Sequence, residues 1–170
     1  MLESTPEVLV IRGAPGVGKS SACKRLRALI PDGAVIEVDT LRGMIAGVRW
    51  VDTPQHLVAL DHARLLAATF LEKGYRPVVI VDTFSRGKLT AFAASLPWSY
   101  VIASLYAEPS ILERRVLGRP EDQFRELDAC QVLNEEARLN RYPHEHFIDT
   151  SDLEPAGVAE ALARLLGKIS

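Results

Sequence analysis

A glycine-rich loop between an apolar run and a helical segment places the strongest constraint on the fold of this chain. The apolar run VLVIR leads directly into GAPGVGKS, which occupies residues 13–20. This octapeptide fits the pattern G-x-x-x-x-G-K-[ST], whose backbone N–H groups and following helix N-terminus surround phosphate oxygens. The pattern requires a buried strand before the loop and a helix after it. The sequence therefore predicts a strand over 8–13, a helix over 19–30, and a triphosphate site between them.

Apolar runs alternate with longer helical segments through the rest of the chain. Further strands are predicted over 34–39, 77–83, 100–107 and 146–151. Helices are predicted over 53–73, 85–95 and 109–117, then up to about residue 140, and over 155–167. This alternation favours right-handed crossovers and a parallel sheet with helices on both faces. We expect residues 1–170 to form one α/β domain.

Composition and charge narrow the function classes. The chain has 170 residues, of which 48% are hydrophobic and 25% charged, and a net charge of −2. That charge gives no overall attraction to nucleic acid or to an anionic membrane. No leader or membrane-spanning segment is expected. Cys23 and Cys130 lie far apart without metal-binding spacing, which predicts two free thiols in a reducing compartment. We therefore expect a cytoplasmic location, and no obligate protein partner is evident.

The phosphate loop supplies most of the predicted nucleotide contacts. Lys19 is expected to reach the β- and γ-phosphates as a catalytic cation, and the Ser20 hydroxyl to ligate Mg²⁺. A glycine-rich turn with a chance lysine is the alternative, but motif and context agree against it. The chain has no N-K-x-D motif of the kind that reads guanine in switch GTPases. The predicted nucleotide-binding residues of the loop are Gly13, Ala14, Pro15, Gly16, Val17, Gly18, Lys19, Ser20 and Ser21.

Two charged residues in VDTLR follow the second predicted strand. Asp39 is expected at the carboxyl end of that strand, where open parallel sheets bind their ligands. From there it can face the γ-phosphate and, as general base, take the proton of an acceptor hydroxyl. Arg42, one helical turn later, can hold an anionic or polar group of the acceptor. The alternative is a helix-capping aspartate with a surface arginine.

The third strand ends on an acid. In VVIVDTF, a run of apolar residues precedes Asp82, which is typical of a Walker B sequence. Its carboxylate can hold Mg²⁺, directly or through water, or it can accept hydrogen bonds from Arg42 and so orient that side chain. The sequence leaves both roles open.

A lid segment is predicted near residues 115–127, from ILERRVLGRP onward. Arg115 and Arg119 are spaced to share one helical face if the helix persists that far. Arginines brought over the γ-phosphate by a closing lid stabilise phosphoryl transfer, and Arg119 is also expected to bind the nucleotide. The alternative is a solvated charged face in which the arginines pair with Glu121 and Asp122.

Taken in order, GAPGVGKS, VDTLR, VVIVDT, RRVLGR and FIDTS resemble the polynucleotide kinase-like branch of the P-loop kinases, such as the 5′-kinase domain of bacteriophage polynucleotide kinase. The resemblance covers nearly the whole chain. It implies a five-stranded parallel sheet of order 2-3-1-4-5, with ATP and Mg²⁺ as the donor. It also implies a general base, an acceptor-contacting arginine, an acid beside that arginine and two lid arginines, which are Asp39, Arg42, Asp82, Arg115 and Arg119 respectively.

The resemblance leaves the acceptor open. No phosphatase or ligase domain and no evident basic groove accompany the kinase motifs, and related stand-alone kinases act on antibiotics or small metabolites. The acceptor is therefore either the 5′-hydroxyl of a nucleic acid or the hydroxyl of a small molecule. A nucleotide-binding or ATPase regulatory module is the alternative from another class. Asp39 with Arg42 favours the kinase, because a pure switch has no use for an acceptor base there.

Overall fold

A five-stranded parallel sheet forms the centre of the fold. The computed structural model describes residues 5–51, 53–85, 87–121 and 123–168. The strands are β1 (Val8–Arg12), β2 (Ala34–Glu37), β3 (Val78–Asp82), β4 (Tyr100–Tyr106) and β5 (His146–Asp149). Their order across the sheet is β2-β3-β1-β4-β5, and each neighbouring pair is parallel. The predicted fold class and strand order are thus confirmed.

Helices cover both faces of the sheet, and this is why β1 is apolar almost throughout. The helices are α1 (Lys19–Leu29), α2 (Val38–Arg42), α3 (Thr53–Glu72), α4 (Lys88–Ala94), α5 (Pro109–Leu117), α6 (Leu127–Leu139) and α7 (Pro155–Leu165). Leu9 and Ile11 pack into one core with α1, α5 and α7, while Val8 and Val10 pack into a second core with α3 and α4. A strand buried on both faces forms a continuous apolar run in the sequence.

The sheet brings the segments that follow β1, β2 and β3 to a single edge. Arg12, the last residue of β1, lies in register with Asp82 of β3 on one side and with Ser104 of β4 on the other. Because parallel strands all end at the same edge, the loop after β1 lies beside Asp82 and close to the start of α2. The candidate site lies at this edge.

The structure differs from the sequence prediction after β2. The strand ends at Glu37, and Asp39 lies in the first turn of the short helix α2 instead of ending the strand. Helical hydrogen bonds close this turn, since the Gly43 N–H donates to the Asp39 carbonyl oxygen at 2.9 Å. Among the helices in the described ranges, none has both the length and the apolar character that a membrane crossing requires.

Candidate active site

The phosphate loop, residues 13–18, connects β1 to the N-terminus of α1. Gly16 and Gly18 have φ angles of +92° and +101°, in the region that glycine adopts without the cost of a Cβ. A Cβ on Gly16 would lie 2.7 Å from Val116 Cγ2, so this part of the loop packs directly on α5. The loop therefore presents bare backbone ahead of an eleven-residue helix, which is the arrangement that binds phosphate.

The polar side chains that close the loop have partners within the protein. Lys19 Nζ donates to the carbonyl oxygens of Gly13 and Ala14 at 2.5 and 2.9 Å. Ser20 Oγ donates to Glu37 Oε2 at 3.3 Å. The side chains of the other predicted loop residues are partitioned between core and surface: Ala14 and Val17 are buried, Pro15 is half-buried, and Ser21 is exposed. Ala14 and Val17 can therefore contact a phosphate only through their backbone groups.

Lys19 lies within electrostatic reach of the other predicted catalytic groups. Burial is the largest influence on its pKa and lowers it, and the positive charge of Arg119 acts in the same direction. The carboxylates of Asp39 and Asp82 raise it, without outweighing burial. The charges of two carboxylates and of a second cation thus act on the lysine of the phosphate loop.

The surroundings of Asp39 raise the pKa of its carboxyl group. Asp39 is an exposed residue, but the surrounding protein displaces part of the water from its carboxyl group, and this raises its pKa. The negative charge of Asp82 is the second cause, while the positive charges of Lys19 and Arg42 act in the opposite direction. A carboxylate with a raised pKa accepts a proton more readily than an ordinary aspartate does.

Arg42 is buried beneath the segment that follows α2. Its Nη2 donates to the carbonyl oxygens of Arg49 and Trp50 at 3.1 and 2.7 Å, and its guanidinium carbon lies 5.0 Å from the centre of the Trp50 ring. Its hydrogen bonds therefore go to this segment, and within the described residues none joins it to Asp82. Arg42 Nε is buried without a partner in the same ranges. A buried unpaired N–H is costly, so this donor is suited to a ligand.

Asp82 ends β3 and is 4% exposed. Its Oδ2 accepts from His56 Nε2 at 2.9 Å and from the Phe84 N–H at 2.8 Å. Oδ1 accepts no hydrogen bond from a described residue, which leaves it for a cation. Asp82 Oδ1 and the Ser20 hydroxyl fit Mg²⁺, which takes oxygen ligands and commonly uses one or two carboxylates together with substrate phosphates. No described cluster of three or more His, Cys, Asp or Glu side chains forms a separate metal cage.

Arg119 belongs to the loop between α5 and α6. The helix ends at Leu117, so the helical face that the R-x-x-x-R spacing required does not extend to this residue. Arg119 Nε donates to Gln123 Oε1 at 3.0 Å and Nη1 donates to the Phe124 carbonyl oxygen at 2.8 Å. Its positive charge nevertheless reaches Lys19 and lowers the pKa of that lysine. Of the two arginines predicted for a lid, Arg119 is the one whose charge acts on the lysine of the phosphate loop.

Arg115 has different contacts from those expected of a lid arginine. Its Nη1 donates to Thr150 Oγ1 at 2.9 Å and its Nη2 to the Thr150 carbonyl oxygen at 2.7 Å. Thr150 Oγ1 in turn donates to the Val17 carbonyl oxygen at 2.9 Å, so Arg115 braces the phosphate loop through the segment after β5. No ion pair joins Glu121 to either arginine in the described ranges. Asp122 lies outside the described residues.

Three residues of this site were not predicted from the sequence. His56 on α3 contacts Asp82, Glu37 contacts Ser20, and Thr150 contacts the phosphate loop. His56 has no motif around it, and only its position on a predicted helix was available. Its role depends on which face of α3 meets the end of β3, and that face is set by tertiary packing.

The known proteins that resemble this chain do so in structure. No family model matches the sequence, and no curated protein sequence matches it. The tunicamycin resistance protein of Deinococcus radiodurans superposes with a TM-score of 0.70 and 20% identity, over 95% of this chain and 96% of its own. The chain has the fold of the P-loop kinases.

Two further solved structures extend this likeness to proteins named as kinases. A gluconokinase from Sinorhizobium meliloti superposes with a TM-score of 0.68 and 19% identity, over 98% of this chain and 94% of its own. A shikimate kinase from Acinetobacter baumannii, solved with shikimate, superposes with a TM-score of 0.62 and 16% identity, over 96% of this chain and 93% of its own. At these identities the likeness establishes the fold.

Proposed function

We propose that the protein is an ATP-dependent kinase that transfers the γ-phosphate to a hydroxyl group of a small molecule. The observation that carries this proposal is the position of Asp39 in the first turn of α2, at the sheet edge of the phosphate loop, where its charge acts on Lys19. A nucleotide-binding module needs the loop but does not need a proton acceptor beside it. Two solved structures with this fold are named as a gluconokinase and a shikimate kinase, and this supports a small-molecule acceptor.

The triphosphate is held by residues 13–20 in this proposal. Lys19 exchanges its bonds to the carbonyl oxygens of residues 13 and 14 for bonds to the β- and γ-phosphates. The Ser20 hydroxyl, once released from Glu37, and Asp82 Oδ1 would hold Mg²⁺. The bound ion would neutralise negative charge on the phosphates. Arg119 adds positive charge on the lid side.

Asp39 performs the proton transfer. Its carboxylate takes the proton of the acceptor hydroxyl while that oxygen forms a bond to the γ-phosphorus. The bond between the γ-phosphorus and the bridging oxygen to the β-phosphate breaks, and ADP leaves with the electron pair. Lys19 and Arg119 stabilise the negative charge that develops on the phosphate oxygens. The proton on Asp39 then passes to water.

The acceptor lies against Arg42 and Trp50 in this proposal. Arg42 Nε is an unpaired donor three residues after Asp39, and the Trp50 ring, 52% exposed, offers a surface on which a ring of the acceptor can stack. A polynucleotide 5′-hydroxyl is the second candidate, supported by the motif resemblance and by this stacking surface. The net charge of −2 weighs against it, because nucleic-acid affinity comes mainly from phosphate contacts.

Measurement of ADP release tests the proposal. The protein is incubated with ATP and Mg²⁺, alone or with a panel of sugars, sugar acids, cyclic hydroxy acids, antibiotics and 5′-hydroxyl oligonucleotides. We expect a small hydroxylated molecule to raise turnover above the water rate, and Asp39→Asn to lower that turnover by about 10²–10⁴-fold. Asp61→Asn, at an exposed position of α3, is the matched control and should change nothing.

The other outcomes identify the alternatives. Stimulation by an oligonucleotide, with an affinity that falls steeply as salt rises, supports the polynucleotide acceptor. If no acceptor raises ADP release and Asp39→Asn leaves the water rate unchanged, the kinase proposal is wrong and a nucleotide-binding module is left.

A further inference from the structure

A buried chain of polar side chains lies behind the carboxylate of Asp82. His56 of α3 has its Nε2 at 2.9 Å from Asp82 Oδ2, and the side chains of the pair are 5% and 2% exposed. On the other side of the ring, His56 Nδ1 lies 2.8 Å from Nζ of Lys88, the first residue of α4. Two helices therefore meet the end of β3 through one imidazole.

The lysine determines which ring nitrogen of His56 carries the proton. An ammonium group can only donate, so Lys88 Nζ donates to Nδ1 and that nitrogen is the acceptor. Nε2 then carries the hydrogen and donates to Asp82 Oδ2. Asp82 Oδ2 is thereby held by an N–H donor from α3.

A strained backbone supplies the second donor to the same oxygen. Phe84 has a φ angle of +51°, which is unusual for a bulky residue, and its N–H donates to Asp82 Oδ2 at 2.8 Å. The Phe84 side chain is buried, and its ring centre lies 5.1 Å from that of Phe92. Core packing therefore holds the backbone in the conformation that directs this N–H at Asp82.

The two donors fix the orientation of the carboxylate. Oδ2 receives the hydrogen bonds from His56 and Phe84, whereas Oδ1 receives none from a described residue. Rotation of the Asp82 side chain would break both bonds in a buried setting, where unpaired polar groups are costly. The negative charge of Asp82 acts on Lys19 of the phosphate loop. The oxygen without a described partner thus belongs to a carboxylate whose charge acts on the phosphate loop.

We propose that His56 is a positioning residue, which holds Asp82 so that Oδ1 is directed at the Mg²⁺ bound with ATP, and that Lys88 fixes the ring tautomer this requires. The inference rests on the proposed nucleotide site. Partners behind a metal-binding carboxylate commonly tune metal affinity, and their loss typically lowers it about 10–100-fold. A purely structural role for the pair would affect stability without affecting the response to the metal.

Calorimetry without any acceptor separates these roles. The affinity of a nonhydrolysable ATP analogue is measured with saturating Mg²⁺ and again with EDTA, and the ratio of the two affinities is the Mg²⁺ enhancement. We expect His56→Leu to lower the enhancement by ~10-fold or more while the affinity in EDTA stays within about twofold. His56→Gln, whose amide can both donate and accept, should restore most of the enhancement.

Two controls sharpen the comparison. His62→Leu removes an exposed histidine from the same helix and should leave the enhancement unchanged. In an Asp82→Asn background, His56→Leu should cause no further loss, because the two residues act through one oxygen. If His56→Leu does not fold, His56→Met gives the same comparison with a side chain that adapts to irregular space. Lys88→Met, which frees the tautomer, should lower the enhancement to a smaller extent.

The outcomes separate this inference from the proposed function. An unchanged enhancement in folded His56→Leu, or equal losses with and without Mg²⁺, overturns the positioning role. A protein that phosphorylates an acceptor but shows that result loses only this inference. A protein that phosphorylates nothing but shows a lowered enhancement loses only the proposed kinase activity.

Discussion

Gly16→Ala and Gly18→Ala should lower the free energy of unfolding by different amounts, although both positions have a positive φ angle. The backbone strain is shared, since alanine at φ +92° or +101° costs about 1–3 kcal/mol. The steric surroundings differ. A Cβ at Gly16 would lie 2.7 Å from Val116 Cγ2 and 3.0 Å from Leu112 Cδ1, whereas a Cβ at Gly18 meets nothing within 4 Å. Gly18→Ala is therefore the matched control.

The additional cost of Gly16→Ala comes from overpacking between the phosphate loop and α5. Both side chains that the new methyl group meets are fully buried, and valine is stiff at χ1, so they cannot move aside cheaply. Overpacking of this kind costs about 1–3 kcal/mol. We expect the free energy of unfolding of Gly16→Ala to lie below that of Gly18→Ala by about this amount.

Urea unfolding followed by circular dichroism measures this difference. A double-mutant cycle adds a second check: Val116→Ala removes the methyl group that the new Cβ meets, so it should cost about 1–2 kcal/mol less in the Gly16→Ala background than in the wild type. Equal stabilities for the two glycine variants, together with no coupling to Val116, would refute the contact between the phosphate loop and α5.

Three other predictions concern single side chains. Because loss of water and the charge of Asp82 raise the pKa of Asp39, ionisation of this carboxyl group destabilises the fold above that raised pKa. Asp39→Asn should therefore increase the free energy of unfolding near pH 7, as measured by urea titration. The gain should vanish below pH 3.8, the ordinary pKa of an aspartate. Glu145→Ala leaves the buried Arg12 guanidinium without its carboxylate partner at 2.9 Å and should lower the free energy of unfolding in urea by about 3–5 kcal/mol. A decrease of less than about 1 kcal/mol would contradict the buried ion pair. Burial raises the pKa of Cys23 to about 12, so iodoacetamide at pH 8 should label this thiol only after unfolding, as judged by mass spectrometry; rapid labelling of the native protein would contradict its burial.

The parts of the fold that local sequence determines were predicted well. The phosphate loop and the buried strand before it depend on glycine positions and an apolar run, and the alternation of strands and helices predicts the parallel sheet. The strand order came instead from the resemblance to a known family of kinases, and the structure confirms it. The end of β2 was not predicted, because VIEVD continues as a strand pattern whereas the backbone turns into α2 at Val38. Strand propensity alone does not indicate where the backbone turns from a strand into a helix.

The side-chain contacts of the site depend on distant segments and could not be predicted. Arg115 contacts Thr150, and His56 contacts Asp82, across separations of 35 and 26 residues. Neither pair has a spacing signature. Arg42 likewise turns towards the carbonyl oxygens of Arg49 and Trp50 rather than towards an acid, a choice set by the path of the segment after α2.

One hydroxyl group connects three separate parts of the nucleotide site. Thr150 Oγ1 contacts the Val17 carbonyl oxygen and the Arg115 guanidinium, and so joins the phosphate loop, α5 and the segment after β5. These parts are therefore mechanically coupled, and α5 cannot swing outward without breaking the bonds of Arg115. Any hinge for closure over a nucleotide has to lie beyond Leu117, where α5 ends and the loop that contains Arg119 begins.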